Sequence, residues 1–269
     1  MEELKLWRDD PWLEPWKRDI WSRHEIAAIR MAEMSQGELR LADAINNHLY
    51  YCTHLEGSKR IFREWAPNAS AIYLLCDKNG WKKDSAFLFN SVGDGNWELR
   101  LDADLLAHGD NYKWLVQWNG GEGERIPAYA TRVVQDPDTK LFAAQVWDTG
   151  DYKWKNRRPV QSETPLIYEA HIGMSTEEAG VGSYNHFREN ILPYIAKTGY
   201  NTIQLMAIQE HPYYGSFGYQ VSSFYAPSSR FGTPDELKML IDEAHGYGIS
   251  VILDIVHSHS VSNTLEGLS

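Results

Sequence analysis

Each of three apolar segments in the second half of the sequence is followed by an acid and a histidine. The three pairs are Glu169 and His171, Glu210 and His211, and Asp254 and His259. Carboxylates and imidazoles are the side chains that most often move protons in active sites, and imidazole also binds metal ions. Parallel α/β folds carry their functional residues at the carboxyl ends of the strands. The repeated pattern therefore predicts one ligand site built from three strand ends.

The residue types alone leave the chemistry of this site open. A metal site is disfavoured, because neither a cysteine nor a second His-x-His motif supports His257 and His259 as ligands. Hydrolysis of a glycosidic bond needs two facing carboxylates, and Asp254, Glu210 and Glu169 are candidates for them. The alternative is that these acids only fix loops and orient His259.

Strand and helix patterns alternate around these residues. The predicted elements are a strand at Leu166–Glu169, a helix at Ser183–Thr198, a strand at Thr202–Ile208, a helix from the capping box at Thr233 to Tyr247, and a strand at Ile249–Val256. Pro193 is expected to kink the first helix. This order predicts parallel strands with right-handed crossovers, in an open sheet or a barrel. Only three such strands are present, whereas a (β/α)8 barrel needs about 250 residues.

The first half of the sequence has a different pattern. A helix is predicted from Lys17 to Met34, with its apolar residues on one face. Short strands follow at Leu49–Thr53, Lys59–Trp65, Ala71–Cys76, Trp97–Leu101 and Tyr112–Trp118, with glycine-, asparagine- and proline-containing turns between them. Regular short strands separated by such turns are typical of a small antiparallel β-sandwich. The polar stretch from Asp148 to Pro165 is predicted to be a linker.

Composition limits the partners that this chain can have. The formal net charge of −11 argues against nucleic acid and anionic membrane surfaces, which need a basic face. The 11 tryptophans and 15 tyrosines suit flat neutral ligands such as sugar rings, although most of them are expected in the core. Cys52 and Cys76 are too few for a disulfide framework, and the N-terminus has no apolar signal segment. We therefore expect a cytoplasmic, monomeric protein with free thiols.

The sequence resembles the 1,4-α-glucan branching enzymes of the α-amylase superfamily, glycoside hydrolase family 13, over nearly its whole length. The segments that carry the resemblance are Asn201–His211, Gly215–Tyr219, Ser229–Pro234 and Asp254–His259, with Phe62–Asn68, Asn79–Trp81 and Arg132–Asp136 in the first half. The resemblance implies an N-terminal helical segment at residues 1–46 and an immunoglobulin-like glycogen-binding β-sandwich at 47–148. A linker at 149–165 and the first three βα units of a truncated (β/α)8 barrel at 166–269 complete the implied organisation.

The resemblance also implies a reaction, in which an α-1,4 bond is broken and rebuilt as α-1,6 through a covalent glycosyl-enzyme. His259 is implied to hydrogen-bond the sugar before the scissile bond, Asp254 to support that site, and Tyr219 to stack under the same sugar. Ser258 stands where the wider superfamily has an asparagine that serves a calcium site, so neither a metal nor another cofactor is expected. The family's nucleophilic Asp and acid–base Glu are expected beyond Ser269, so no catalytic residue is assigned within the chain.

In the sandwich, the resemblance implies a surface for α-1,4-glucan such as glycogen, amylose or starch. Its residues are Trp65, Ala66, Pro67, Trp81, Gly93, Asp94, Gly95, Asn96 and Lys113. Exposure is favoured for Trp81, because it follows a turn, whereas Trp65 lies inside a strand and suits the core as well as a ligand. Two other interpretations stay open, a non-catalytic glucan-binding protein and an isoamylase-type debranching relative, although the stretch Met206–His211 favours branching.

Overall fold

The computed structural model describes residues 4–35 and 40–262, which divide into two compact units, Met1–Tyr50 and Tyr51–Ser269. The first unit contains the helices α1 (Lys5–Asp9), α2 (Lys17–Ser35) and α3 (Leu41–Ala44), with 3-10 turns at Pro11–Trp16 and Asn47–Leu49. Helix α2 begins at the predicted residue and ends one residue after the predicted one. Its apolar face is mostly exposed; only its first turns are covered, where the Trp21 ring lies 6.0 Å from the Trp7 ring.

The second unit begins with two antiparallel sheets, as the sequence predicts. The strands are β1 (Cys52–Glu56), β2 (Lys59–Trp65), β3 (Ala69–Cys76), β4 (Asn90–Gly93), β5 (Asn96–Asp102), β6 (Asn111–Trp118), β7 (Gly121–Arg125), β8 (Val133–Gln135) and β9 (Phe142–Gln145). One sheet has the order β1-β2-β5-β4, and the other has β3-β6-β9-β8, with β7 on β6. The predicted first strand at Leu49–Thr53 is misplaced, because a 3-10 turn at Asn47–Leu49 and a positive φ of 72° at Cys52 delay it.

The core of the sandwich is built from the inward-facing residues of both sheets. Phe62 and Leu74 are fully buried, and the Phe62 ring packs edge-on against that of Trp114 at 5.7 Å. Both free thiols, Cys52 and Cys76, are also buried in this cluster. A closed apolar core of this kind fixes the strand ends, and with them any ligand residues on the turns.

The segment predicted as a linker has no helix or strand, yet its first half, from Asp148 to Asn156, is held by side-chain contacts. Asp148 forms an ion pair with the buried guanidinium of Arg60 in the sandwich. Further along, the backbone amides of Lys155 and Asn156 donate to the Asp242 carboxylate at 2.9 and 2.8 Å, and the Tyr152 hydroxyl donates at 3.0 Å. These three donors lower the pKa of Asp242 despite its burial. These contacts fix the first half of the connection against the rest of the fold.

The remainder of the chain alternates strands and helices. The elements are β10 (Ile167–Ala170), α4 (Tyr184–His186), α5 (Leu192–Lys197), β11 (Thr202–Leu205), β12 (Gln209–Glu210), β13 (Ser223–Pro227), α6 (Pro234–Gly246) and β14 (Ser250–Leu253). Strands β10, β11 and β14 form a parallel sheet in that order, with β11 in the middle. The predicted parallel arrangement is confirmed, although both later strands end three residues before the predicted positions.

Local sequence explains the two crossover helices. Thr233 and Glu236 form the predicted reciprocal capping box at the start of α6. Between α4 and α5, a π turn at Phe187–Ile191 replaces the kink expected at Pro193. Proline has no N–H and clashes with the carbonyl four residues earlier, so a widened turn before it relieves both conflicts. Both helices bury their apolar faces against the sheet, with Phe187 and Leu240 among the buried residues.

Candidate functional site

Tyr219, Asp254 and His259 are brought together at the carboxyl end of the parallel sheet. Asp254 follows β14 directly and accepts a hydrogen bond of 2.6 Å from the Tyr219 hydroxyl. The His259 Nε2 lies 2.7 Å from the Tyr219 carbonyl oxygen and donates to it. Three residues that are separated by up to 40 positions in sequence thus form one hydrogen-bonded cluster.

The backbone before Tyr219 requires glycine. Gly218 has a φ of +91°, and a Cβ built on it would lie 1.9 Å from the Ala207 carbonyl oxygen. Phe217 also has a positive φ of 53°, so the chain makes a left-handed turn here. The turn brings Tyr219 against the small buried cluster of Ala207, Val221 and Val256.

Tyr219 has a shifted pKa in this cluster. The hydrogen bond to the Asp254 carboxylate, together with partial burial, raises the pKa of Tyr219 to about 12. The phenol is therefore neutral at ordinary pH and donates a hydrogen bond to the Asp254 carboxylate. The His259 Nε2 donates to a carbonyl, and its Nδ1 lies 2.8 Å from the Ser258 hydroxyl, within hydrogen-bonding distance. The cluster is polar and suits holding hydroxyl groups.

Glu210 and His211 are buried and hold loops in place. This agrees with the alternative in which the acids fix loops and do not act on a substrate. The Glu210 carboxylate accepts hydrogen bonds from the Ser229 amide at 2.7 Å and the Ser228 hydroxyl at 3.1 Å. Burial raises the pKa of Glu210 and lowers that of His211. The His211 Nδ1 donates to the Gln209 carbonyl at 2.8 Å. These contacts leave Glu210 fully buried, so it cannot face a substrate in this arrangement.

The two candidate residues at the first strand end differ in exposure. His171 is buried and its Nδ1 accepts from the Met174 amide at 3.2 Å, so it caps a 3-10 turn. Burial and the neighbouring His211 lower the pKa of His171. Glu169 is exposed, and its charge is among those that raise the pKa of Tyr219. The predicted single site over three strand ends is therefore smaller: Glu210, His211 and His171 are buried and make local contacts of their own.

The two histidines after β14 have different neighbours. The His257 ring stacks on Phe224, with 6.1 Å between centroids and 5° between planes, whereas His259 turns toward Tyr219. Within residues 4–35 and 40–262, no group of three or more His, Cys, Asp or Glu side chains is placed to hold a metal ion.

In the sandwich, one corner gathers most of the predicted sugar-facing residues. Trp65 ends β2, pairs with Asn96 across the sheet and is 56% exposed, so its indole is not in the core. The Trp65 Nε1 donates to the Asp94 carbonyl at 3.2 Å, and the Ala66 amide donates to the Gly95 carbonyl at 2.8 Å. These contacts place Ala66 and the turn at Gly93–Asn96 beside the indole. Gly95 has a φ of +79°, and a Cβ there would lie 2.8 Å from Pro67, so this corner also needs glycine.

Trp81 and Lys113 lie at the other end of β3. The Trp81 amide donates to the Cys76 carbonyl at 2.9 Å, whereas Trp65 lies just before the start of the strand at Ala69. Seven residues of extended chain span about 23 Å, so the structure does not bring the two tryptophans together. Trp81 is half-buried, and its Nε1 donates to Asp77 at 2.6 Å. Lys113 is buried, and its ammonium contacts Glu124 at 2.9 Å.

A groove beside Trp65 adds residues that sequence reasoning missed. It encloses about 460 Å³ and is lined by Glu64, Trp114, Trp118 and Arg125 as well as Trp65. The Arg125 guanidinium lies over the Trp118 ring at 5.3 Å. Burial raises the pKa of Glu64, whose carboxyl accepts from the Trp114 Nε1 at 3.0 Å. The sequence contains two signals for this groove. Trp114 and Trp118 are four residues apart on β6, and Glu64 directly precedes Trp65.

Comparison with known proteins agrees with this division of the chain. Residues 50–137 match the family model of carbohydrate-binding module 48 (isoamylase N-terminal domain), and residues 172–266 match the α-amylase catalytic domain. A solved pullulanase of group B Streptococcus matches with a TM-score of 0.65 at 23% identity, over 80% of this chain and 34% of that chain. At this identity the likeness shows the fold alone.

Two curated relatives match over nearly the whole chain. A protein of Yarrowia lipolytica is 41% identical over 99% of this chain and 40% of its own length, and one of Dictyostelium discoideum is 40% identical over 98% and 40%. The chain is thus similar to a carbohydrate-binding module 48 over residues 50–137 and to an α-amylase catalytic domain over residues 172–266. Both relatives are named 1,4-alpha-glucan-branching enzyme, and this chain spans about 40% of their length. Among the described helices, none is both long and apolar enough to cross a membrane.

Proposed function

We propose that this chain is the glucan-holding front part of a 1,4-α-glucan-branching enzyme. Its sandwich binds α-1,4-glucan such as glycogen, amylose or starch, and its parallel strands are the first three of a (β/α)8 barrel. The domain limits that belong to this proposal are the expected ones, a sandwich at 47–148 and barrel sequence from 166. The nucleophile and acid–base residues come from strands beyond Ser269.

The observation that carries the proposal is the cluster of Tyr219, Asp254 and His259. It joins an aromatic ring, a carboxylate and an imidazole at the carboxyl end of a parallel sheet. A ring face suits the C–H face of a sugar, and the polar edges suit its hydroxyls. The second acid needed for glycosidic chemistry is not supplied by Glu210, whose oxygens are used by Ser228 and Ser229. The cluster is therefore proposed to position a sugar and not to break the bond.

The sandwich supplies a separate platform. The exposed Trp65 indole is fixed by Asp94, Ala66 and Pro67 lie beside it, and the groove next to it is lined by two more indoles. Aromatic side chains fixed by a rigid core lose little entropy on binding a flat ligand. The residues Trp81 and Lys113 are proposed as a second contact surface at the other end of β3, and are tested separately from Trp65.

Glycogen co-sedimentation and amylose incubation test the proposal together. We expect the purified chain to sediment with glycogen and to form no α-1,6 bonds in amylose. Trp65→Ala should reduce the bound fraction strongly, and Trp81→Ala should reduce it less, because its indole is half-buried. Trp12→Ala is the matched control, since Trp12 is 89% exposed outside the sandwich. No sedimentation with glycogen would contradict the binding claim, and measurable branching would contradict the assignment of catalysis to later strands.

A further inference from the structure

An aromatic cavity lies between the β-sandwich and the segment that follows β14. It encloses about 540 Å³, within the range of about 300–1,000 Å³ that is usual for small-ligand sites. Its lining residues are Ala128, Tyr129, Gln209, Phe224, Tyr225, Ile255 and His257. None of these seven side chains carries a fixed charge, so the cavity favours a neutral ligand.

The rings of the cavity are held in pairs. Tyr129 and Tyr225 lie 4.8 Å apart with 34° between their planes, and Phe224 stacks on His257. Behind them, Tyr51 stacks on Tyr129 at 5.3 Å. Tyr225 is 48% exposed. The protein therefore fixes these rings without covering them, which is the arrangement that stacking on a ligand needs.

Polar groups border the ring faces. Burial and the Tyr129 hydroxyl raise the pKa of Tyr225, so its phenol can donate and accept hydrogen bonds at ordinary pH. The Tyr129 hydroxyl and the His257 imidazole add two further polar edges. Rings with apolar faces and with hydroxyl and imidazole edges match the surface of a glucose unit, which has C–H faces and hydroxyl edges.

The cavity adjoins the sugar-holding cluster through one short segment. Asp254 contacts Tyr219, and the next residues, Ile255 and His257, line the cavity. Gln209 fixes this segment, since its amide accepts from the Val256 N–H at 3.2 Å and donates to the Phe224 carbonyl at 3.0 Å. A ligand made of several linked rings is the class that can contact both sides of it.

We propose that this cavity is an additional α-glucan subsite, in which the rings of Tyr225 and His257 hold glucose units of a chain that also occupies the Tyr219–Asp254 cluster. The inference rests on the proposed function and extends it by a site outside both the Trp65 corner and the cluster. It predicts that the chain binds a long maltooligosaccharide at this junction as well as at the sandwich.

Fluorine NMR with maltoheptaose as the probe tests this subsite directly. The chain is labelled with 3-fluorotyrosine, and the signals of Tyr129, Tyr225 and Tyr194 are assigned by single Tyr→Phe variants. We expect the first two signals to shift in a saturable way and the signal of Tyr194 to stay fixed. Tyr194 is the matched reference, because it is 60% exposed on α5 and does not line the cavity. Fixed Tyr129 and Tyr225 signals at saturating sugar would overturn the proposal.

Two variants give a quantitative second readout. Tyr225→Ala should raise the Kd reported by the Tyr129 signal about tenfold, which corresponds to about 1.4 kcal/mol, and Tyr194→Ala should leave it unchanged. An unchanged Kd in Tyr225→Ala would also overturn the proposal, and if that variant fails to fold, the signals of the unmodified chain decide. Suppose the chain still binds glycogen in a way that depends on Trp65, but the Tyr129 and Tyr225 signals do not shift. That result would contradict the subsite and leave the proposed function intact. Loss of glycogen binding by the unmodified chain would defeat the proposed function as well.

Discussion

The sandwich and the parallel sheet differ in how completely each covers its own apolar residues. In the sandwich, β2 buries four consecutive residues, and Phe62, Leu74 and Trp114 are almost completely enclosed. In the parallel sheet only the middle strand is well buried. The outer strands, β10 and β14, expose apolar side chains, with Ile167 at 43% and Ile252 at 38%. Among the described residues, each of these outer strands has one neighbour in the sheet.

This difference teaches which properties each region can supply. A ligand surface on a closed core is as rigid as the core, so the Trp65 corner should act with the sandwich alone. The Tyr219 cluster is held by hydrogen bonds and a glycine turn at the edge of a more open sheet. Its geometry therefore depends on a few polar contacts and on the conformation of the glycine turn.

The largest expected effect is from removing the buried Glu210 carboxylate. Glu210→Ala takes away the acceptor of the Ser229 amide and the Ser228 hydroxyl and the ion pair with Arg230 at 3.6 Å, which should lower the free energy of unfolding by about 3–5 kcal/mol. Urea unfolding measures it, with the exposed Glu163→Ala expected within about 0.5 kcal/mol of the unmodified chain. Equal unfolding midpoints for the two variants would show that the contacts of the Glu210 carboxylate do not stabilise the fold.

A glycine substitution should be nearly as costly at one position and mild at another. Gly218→Ala places a Cβ on the Ala207 carbonyl, so we expect a loss of about 2–4 kcal/mol from overpacking and the positive φ together. Gly199→Ala is the matched control, because Gly199 has a similar φ of +88° with no atom within 4 Å of its Cβ position. It should cost about 1–2 kcal/mol. Thermal melts compare the two, and equal losses would contradict the close approach to Ala207.

Acid should destabilise the fold around the buried histidines His171 and His211. Burial lowers the pKa values of His171 and His211 from their ordinary 6.5. A depressed pKa means that the unfolded chain binds the proton first, so the stabilisation is present above about pH 6.5 and is lost as pH falls below it. Each histidine should contribute a slope of up to about 1.4 kcal/mol per pH unit.

The contribution of His211 can be isolated with one variant. His211→Asn keeps a donor for the Gln209 carbonyl and removes the titrating group. Urea midpoints between pH 7.5 and 5.5 should therefore fall less steeply in His211→Asn than in the unmodified chain. Parallel pH profiles would argue against a buried neutral imidazole at this position.

The smallest expected effect is from the hydroxyl of Tyr219. Tyr219→Phe removes its hydrogen bond to Asp254, which is half-buried and can be solvated in return, so the loss should be about 1–2 kcal/mol. Tyr194→Phe removes an exposed hydroxyl and should change nothing measurable. Chemical unfolding of both variants provides the comparison, and a neutral Tyr219→Phe would mean that the cluster is positioned by the backbone alone.

How much could be predicted from the sequence depended on how local the signal was. The capping box at Thr233, the strand Lys59–Trp65 and the parallel order of the last three strands follow from local patterns, and all three are present. Six strands, β4, β7, β8, β9, β12 and β13, have no counterpart in the prediction, because they are short and their pairing is set by distant partners.

The candidate site shows the same limit. Asp254 is indicated by its position at a strand end and Tyr219 by the family resemblance, and the structure brings them into contact. The role of Glu210 depends on Ser228 and Ser229, which are 18 and 19 positions away and only meet it in the fold. The separation of Trp65 from Trp81 is likewise a consequence of the direction of β3, which residue types do not reveal.

A crystal structure of this chain with maltoheptaose tests the central claim most directly, because it shows where glucose units lie. The account predicts sugar density on the indole of Trp65 and over the ring of Tyr219, with hydroxyls near Asp254 and His259. Oligosaccharide density that avoids both Trp65 and Tyr219 would contradict it.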